Sequence, residues 1–355
     1  MIHLLKQNAP VTPIPEFECC ADVFFRKLTL IYGGSNTGKT TIVRNVLFEL
    51  RNKVPVVFVI SPTNSSNNAF TNIVPDAFIR DTVTEEWLAA LWNRQMEIME
   101  IYNIVNDISN LREFAKRVNN RNLNDILETI EKKYVSAKNQ VLNMSKTLTQ
   151  KESDLAALLS QRDAKIKAVI QSFVRKKNVK VSELKDKLIC QYVDIVPDVL
   201  LLLDDCASEF KSWLKKTETI KRIFYAGRQN CITTIITTQD DKEITSELRK
   251  NAMVNIFTSS QAALANFERV ANNYNKQIKQ KAQRAIYFTF GNPQKHPHRK
   301  LVFFKDTEVP FYFWSASQYK NFRVGSNSMW ELQASMNTSE INLENQLVQR
   351  VQNQY

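Results

Sequence analysis

The sequence predicts an α/β protein with a mostly parallel central sheet and a long helical insertion, and three observations carry that prediction. Unbroken apolar runs of strand length, VPVVFVI at 54–60 among them, recur along the chain, as expected for parallel strands buried on both faces. Helical patterns separate them, so the repeating unit is strand, helix, strand, which requires right-handed crossovers. Between about 84 and 195 the pattern changes to alternating spacings of four and three, the mark of helices packed along a seam.

In order, residues 1–25 read as an N-terminal arm, extended through Pro10, Pro13 and Pro15. FFRKLTLIY is β-rich and leads into GGSNTGKT at 33–40, after which TTIVRNVLFELRN has helical periodicity with Ile42 and Val46 on one side. VPVVFVI is the next strand and SPTNSSNN a loop by composition. In the insertion, Leu123, Leu127, Ile130, Tyr134, Ala137, Val141, Met144, Leu148, Leu155 and Leu158 form a heptad seam, broken where Lys151 occupies a seam position. A helical hairpin packing on itself accounts for this more simply than an intermolecular coiled coil. Beyond Leu158 the charge turns basic, from Arg162 to Lys187, a weaker candidate for DNA contact.

The sheet resumes with VLLLLDD at 199–205, CITTIITT at 231–238 and AMVNIFTSS at 252–260. A helix is expected from about 261 to 283, then two strands, AIYFTF and LVFF, joined by GNPQKHPHRK as a basic hairpin loop. The domain reading is a core of 26–83 and 196–325, an insertion of 84–195, and a polar, flexible tail of 326–355.

The chain has 355 residues, 43% hydrophobic and 24% charged, an ordinary globular composition. No apolar run approaches the roughly 20 residues needed to span a bilayer, and no secretory leader pattern opens the sequence. The expectation is a protein with no membrane span. Five cysteines without C-x-x-C spacing indicate neither a disulfide framework nor a zinc site, and three histidines make a metal cluster improbable. A net charge of +12 favours a polyanionic partner.

Glycine is scarce: six in the chain, of which Gly33, Gly34 and Gly38 fall together. GGSNTGKT fits G-x-x-x-x-G-K-[ST] through Gly33, Gly38, Lys39 and Thr40, with a strand before it and a helix after it. Such a loop lets backbone N–H groups turn toward phosphate oxygens with no Cβ in the way, and the helix N-terminus adds its dipole. Gly33, Gly34, Ser35, Asn36, Thr37, Gly38, Lys39, Thr40 and Thr41 are therefore the candidate ATP-binding residues. Lys39 would reach the β- and γ-phosphates, and the Thr40 hydroxyl would lie on Mg²⁺.

LLLLDD at 200–205 delivers two carboxylates to the C-terminal edge of a buried strand, where ligands bind in such sheets. Asp204 would hold Mg²⁺ through water, and Asp205 would orient or deprotonate the attacking water. TTQ at 237–239 ends another apolar strand; if that strand lies between the other two, Gln239 points at the γ-phosphate and senses it.

With these three elements in this order, the chain resembles the FtsK/HerA superfamily of DNA-pumping P-loop ATPases, and most closely the genome-packaging ATPases of large eukaryotic DNA viruses, the poxvirus type. The residues that carry the resemblance are GGSNTGKT, LLLDDCASEF, AGRQNCITTIITTQ and ITSELRKNAMVNIFTSS, within roughly 26–90 and 196–325. It implies a RecA-like sheet of order 5-1-4-3-2, double-stranded DNA as the translocated partner, a homo-oligomeric ring sharing ATP sites, capsid or portal partners, and a place in the host cytoplasm or the virion. Arg228 matches the family position implicated as a trans-acting arginine, and Arg249, on a polar segment beside a strand end, is a second candidate.

Two departures stand out. Asp205 occupies a position where the family often has Glu, and Asp240 and Asp241 follow Gln239 where bacterial members tend to have Arg-Pro. A DNA helicase, and an ATP-gated scaffold or DNA-binding protein without motor activity, are the alternatives. An SMC/Rad50-type ATPase is excluded, because it needs a glycine-bearing signature loop and no glycine occurs between Gly38 and Gly227.

Overall fold

A computed structural model describes residues 13–106, 121–177, 196–206, 218–305 and 307–334. Pro10, Cys190, Lys180, Lys185, Lys187, residues 207–210 of the LLLDDCASEF stretch and most of the 326–355 tail lie outside the described residues. The chain divides into two compact units, one holding residues 1–92 and 198–355, the other 93–197.

The first unit is an eight-stranded sheet with the order β3-β2-β4-β5-β1-β6-β7-β8. The strands are β1 (Leu28–Tyr32), β2 (Val56–Ile60), β3 (Ile79–Arg80), β4 (Val199–Leu203), β5 (Ile232–Thr238), β6 (Val254–Phe257), β7 (Arg299–Phe304) and β8 (Phe311–Ser315). β3 through β6 pair in parallel; β7 and β8 add as an antiparallel hairpin beyond β6. Counting only β1, β2, β4, β5 and β6, the spatial order is 5-1-4-3-2, the RecA-like arrangement.

Burial explains why these segments are strands. Every residue of β4, Val199 to Leu203, is 0% exposed, which only a strand covered on both faces permits. Helix α1 (Lys39–Leu50) follows β1 and buries Ile42, Val43, Val46, Leu47 and Leu50, a stripe at helical spacing that faces the sheet. The arm joins the same sheet: Phe17 N–H donates to Phe313 C=O at 2.7 Å and Phe313 N–H to Pro15 C=O at 3.0 Å. Phe17 is buried and packs edge-on against Trp314, so the arm's last residues belong to the core.

One stretch corrects the sequence reading. AIYFTF is not a strand but the end of a helix. Numbering in chain order, α2 (Glu85–Asn106), α3 (Arg121–Asn143) and α4 (Leu148–Lys177) precede β4. α5 (Glu218–Ala226), α6 (Ser246–Asn251), α7 (Ser260–Glu268) and α8 (Lys276–Phe290) follow it. α8 contains the whole AIYFTF segment. The Asn275 side chain caps it by accepting from Ile278 N–H at 2.8 Å, and Ala282, Ala285, Ile286 and Thr289 recur at 3.6-residue spacing on its buried side. GNPQKHPH, 291–298, is therefore a helix-to-strand link, Arg299 and Lys300 open β7, and the partner of β7 is FYFWS at 311–315.

In the second unit α3 and α4 fold back on each other, with Leu123, Leu127 and Val141 buried on α3. The seam does not run on through Met144 and Leu148. A turn occupies 144–147, and those two side chains are 44% and 81% exposed. Arg162 of α4 reaches Glu131 of α3 at 3.4 Å and lies 4.5 Å from the Tyr134 ring centre, which gives one of the basic side chains a structural use.

Candidate active site

The parallel strands β1, β4 and β5 end on one edge of the sheet, and the glycine loop lies across it. Gly33 N–H donates to Thr238 C=O at 3.1 Å, so the loop leaves β1 still paired with β5. A Cβ on Gly33 would stand 1.7 Å from Thr258 Oγ1, inside contact distance of any pair of atoms. Gly38 has φ +94°, which a side chain disfavours, and it leads directly into α1. Ile42 N–H closes onto Gly38 C=O at 3.1 Å, so the amides of Lys39, Thr40 and Thr41 stand ahead of the first closed turn and project from the helix end. Ser35 and Asn36 form the exposed tip, and the Thr37 hydroxyl is tied to Gly34 C=O at 2.8 Å and to Thr258 Oγ1 at 2.5 Å.

Gly33→Ala is accordingly expected to destabilise the fold by about 1–3 kcal/mol, the usual cost of overpacking. Thr258→Ala in the same chain should recover part of the loss. Urea unfolding of the wild type and the two variants checks this, and a wild-type midpoint for Gly33→Ala alone would contradict the contact.

Lys39 is 7% exposed, and its ammonium donates to Gly33 C=O at 2.8 Å and Gly34 C=O at 3.4 Å. It also lies 3.4 Å from Asp205 Oδ1. Asp204 and Asp205 follow β4 and point differently. Asp204 is buried and accepts from Thr237 Oγ1 at 2.7 Å and from Ser61 Oγ at 3.0 Å, one hydroxyl to each carboxylate oxygen. Burial pushes its pKa up; the two hydroxyls and the Lys39 charge oppose that rise, while the neighbouring Asp205 adds to it.

Asp205 adopts the left-handed backbone, φ +51°, with its N–H donating to Thr237 Oγ1 at 3.0 Å. Its side chain turns toward Lys39, and Gln239 Nε2 donates to Asp205 Oδ2 at 3.4 Å. β5 does lie between β1 and β4, the condition set for Gln239. Lys39, Asp204, Asp205 and Gln239 thus meet at one edge. Thr237 and Ser61, which the sequence reading left out, hold the Asp204 carboxylate, and Thr237 also accepts from the Asp205 N–H; the polar positions closing apolar strands were the available signal.

The donor set suits Mg²⁺. Thr40 supplies a hydroxyl at the helix start, and Asp204 supplies a carboxylate fixed by two hydroxyls. No cluster of three His, Cys, Asp or Glu occurs among the described residues, and an ion completed by phosphate oxygens and water needs none.

The two arginines part company. Arg228 sits in the turn Gly227–Asn230 that precedes β5, with its Nη1 3.9 Å from Met253 Sδ. The seven residues of β5 separate that turn from Gln239, roughly 20 Å at strand rise. Arg228 is therefore absent from this chain's own site and exposed on the opposite edge of the sheet. Arg249 corrects its expectation. It is 8% exposed, and its guanidinium donates to Asp241 C=O at 2.6 Å, to Ile244 C=O, and to Asn272 Oδ1 at 2.6 Å. Those bonds fasten the loop after Gln239 and commit three of the guanidinium's five N–H donors within its own chain. Asp241, at the point of departure from the family pattern, is buried and forms a bidentate pair with Arg269.

Strand order and loop together define a RecA-like P-loop NTPase fold. The chain is 31% identical over 343 residues to the uncharacterized protein B354L of African swine fever virus, isolate Pig/Kenya/KEN-50/1950, covering 92% of this chain and 93% of that protein. The chain belongs to the B354L family. A shorter similarity, 38% over 66 residues, is to the uncharacterized protein 075L of Invertebrate iridescent virus 6, covering 19% of this chain and 26% of that protein. No protein-family model matches.

Among solved structures, the genome packaging NTPase B204 of Sulfolobus turreted icosahedral virus 2 with ATP-γS shares 11% identity at a TM-score of 0.36, covering 81% of this chain and 95% of that one. The plasmid coupling protein TrwB with ADP and Mg²⁺ shares 10% at 0.38, covering 90% and 92%. The cytoplasmic domain of the Type VII secretion ATPase EccC of Thermomonospora curvata shares 11% at 0.34, covering 82% of this chain, which spans only 25% of EccC. At such scores the likeness is loose, and the fold assignment stands on the strand order.

Proposed function

We propose that this protein is an ATP-driven motor that translocates double-stranded DNA, a member of the FtsK/HerA superfamily that packages a viral genome. The observation that carries the reading is the convergence of Lys39 Nζ, the Asp205 carboxylate and the Gln239 amide within 3.4 Å contacts at the C-terminal edge of the sheet. That convergence suits the γ-phosphate of ATP: a cation to hold it, a carboxylate beside it, an amide to detect it.

In this reading the loop amides of residues 33–41 bind the phosphates, and Lys39 leaves the Gly33 carbonyl to reach the β- and γ-phosphates. Thr40 and Asp204 would hold Mg²⁺, which when bound would supply positive charge to offset that of the phosphates. Asp205 takes a proton from the attacking water, whose oxygen bonds to the γ-phosphorus in line as the bond to the ADP oxygen breaks. Gln239 reports the γ-phosphate to the loop that Arg249 and Asp241 fasten. Arg228, on the opposite edge, suits a role in the site of the next copy in a ring, stabilising transition-state charge there. The relatives are viral, which supports action in an infected cell; the capsid or portal partner belongs to the same proposal. No helix among the described residues is long and apolar enough to cross a membrane.

The test is ATP hydrolysis by the full chain with and without duplex DNA, alongside its mass in solution. A motor shows a rate raised several-fold by duplex DNA, a multimeric mass, and DNA affinity that falls steeply with salt, as the +12 charge requires. A slow rate indifferent to DNA would instead favour an ATP-gated scaffold.

A further inference from the structure

A second lysine stands against the phosphate loop, from the side opposite the carboxylates. Lys300 belongs to β7, whose next residue, Leu301, pairs with Phe257 at the end of β6. That register puts Lys300 at the same sheet edge as the glycine loop. It is 8% exposed, and its Nζ donates to Thr37 C=O at 2.7 Å. A Cβ on Gly38 would lie 3.3 Å from that nitrogen, so the ammonium packs closely against the bare backbone of the loop.

Among the described residues no carboxylate forms an ion pair with this charge. Among the described residues the Thr37 carbonyl is its one hydrogen-bond partner, leaving two of three N–H donors uncommitted. Burial alone moves its pKa, downward, with no carboxylate acting to raise it. A buried ammonium served by a single carbonyl is costly unless an anion completes it.

We infer that Lys300 is a second phosphate-binding lysine of this site, contacting the non-transferred phosphates of a bound nucleoside di- or triphosphate. Sheet order separates the two lysines' tasks. Lys39 faces Asp205, on the β5–β4 side of β1, where a γ-phosphate would meet the catalytic carboxylate. Lys300 approaches from the β6–β7 side, away from the carboxylates, so the phosphates left behind after hydrolysis are the ones within its reach. The inference rests on the proposal that the loop binds nucleotide, and it is independent of DNA and of motor activity.

The test compares Lys300→Met and Lys300→Arg with wild type in the full chain, measuring ADP and ATP affinity by calorimetry and nucleotide-free thermal stability. Lys300→Met is expected to weaken ADP and ATP alike, each by about tenfold, the loss of one charge-assisted contact. Lys300→Arg should restore most of that affinity. KM for ATP should rise with kcat nearly unchanged, because ground and transition states lose the same contact. Nucleotide-free Lys300→Met should melt at or above the wild-type temperature, since an apolar side chain replaces an uncompensated buried charge.

A lysine that merely tethers Thr37 gives the opposite sign: a lower melting temperature without nucleotide. That result, or wild-type ADP affinity in Lys300→Met, overturns the inference. A wild-type protein that binds neither nucleotide would instead remove the reading of the loop on which the inference depends.

Discussion

Lys39→Ala will sharply reduce the thermal stabilisation that ATP gives the wild-type protein and lower hydrolysis by about 100-fold or more, the scale of losing one preorganised contact to developing charge. The geometry explains why no neighbour can substitute. Lys39 is held by Gly33 C=O, Gly34 C=O and Asp205, at the turn from loop to helix, where the amides and the helix dipole add to its field. Lys300 touches the outer side of the loop and faces away from Asp205, so it keeps part of the phosphate affinity but none of the γ-phosphate contact. Lys39→Arg is a sharper control: a guanidinium keeps the charge but is too broad and planar for a pocket made of two carbonyls and one carboxylate. Circular dichroism establishes that each variant folds, and calorimetry with ATP reads the loss. Turnover by Lys39→Ala near the wild-type rate would remove the loop from catalysis.

The site was legible because its chemistry is local in sequence at each strand end. GGSNTGKT needs only its flanking strand and helix to be read, and LLLLDD announces a buried strand with charge at its tip. How the strand ends meet is another matter, since nothing in a single sequence fixes spatial order; the arrangement 5-1-4-3-2 came from resemblance, not from periodicity, and the sheet has that order. The hidden parts were those set by tertiary contact. Ser61 and Thr237 look like ordinary strand-end hydroxyls until β2, β4 and β5 lie side by side and both are aimed at Asp204. Lys300 sits 261 residues from Lys39 and reads as one more cation in a basic stretch. AIYFTF misled because its residue types favour strands, while the buried stripe of α8 and the Asn275 cap decide for helix. Arg249 was read from its place on a polar segment beside a strand end, a position that does not tell that burial gives its guanidinium three acceptors.

Asp205→Asn will retain nucleotide binding and lose between about 100- and 10,000-fold in turnover, the range for removing a general base. The substitution is unusually clean here. Asp205 has φ +51°, a conformation that Asp and Asn tolerate and other side chains resist, so the amide enters the same backbone with its N–H still on Thr237. Binding survives because the variant removes a negative charge from beside the incoming phosphate, and ATP affinity is expected to hold or rise. The same backbone favours Asp over Glu at this position: a longer side chain at this φ costs about 1–2 kcal/mol, and the short carboxylate lies 3.4 Å from Lys39. Asp205→Glu should therefore fold less stably than Asp205→Asn, and urea unfolding orders the two. Single-turnover hydrolysis separates binding from chemistry; an Asp205→Asn protein that releases phosphate at the wild-type rate would strip Asp205 of its role and leave water activation to another group on the β4–β5 edge.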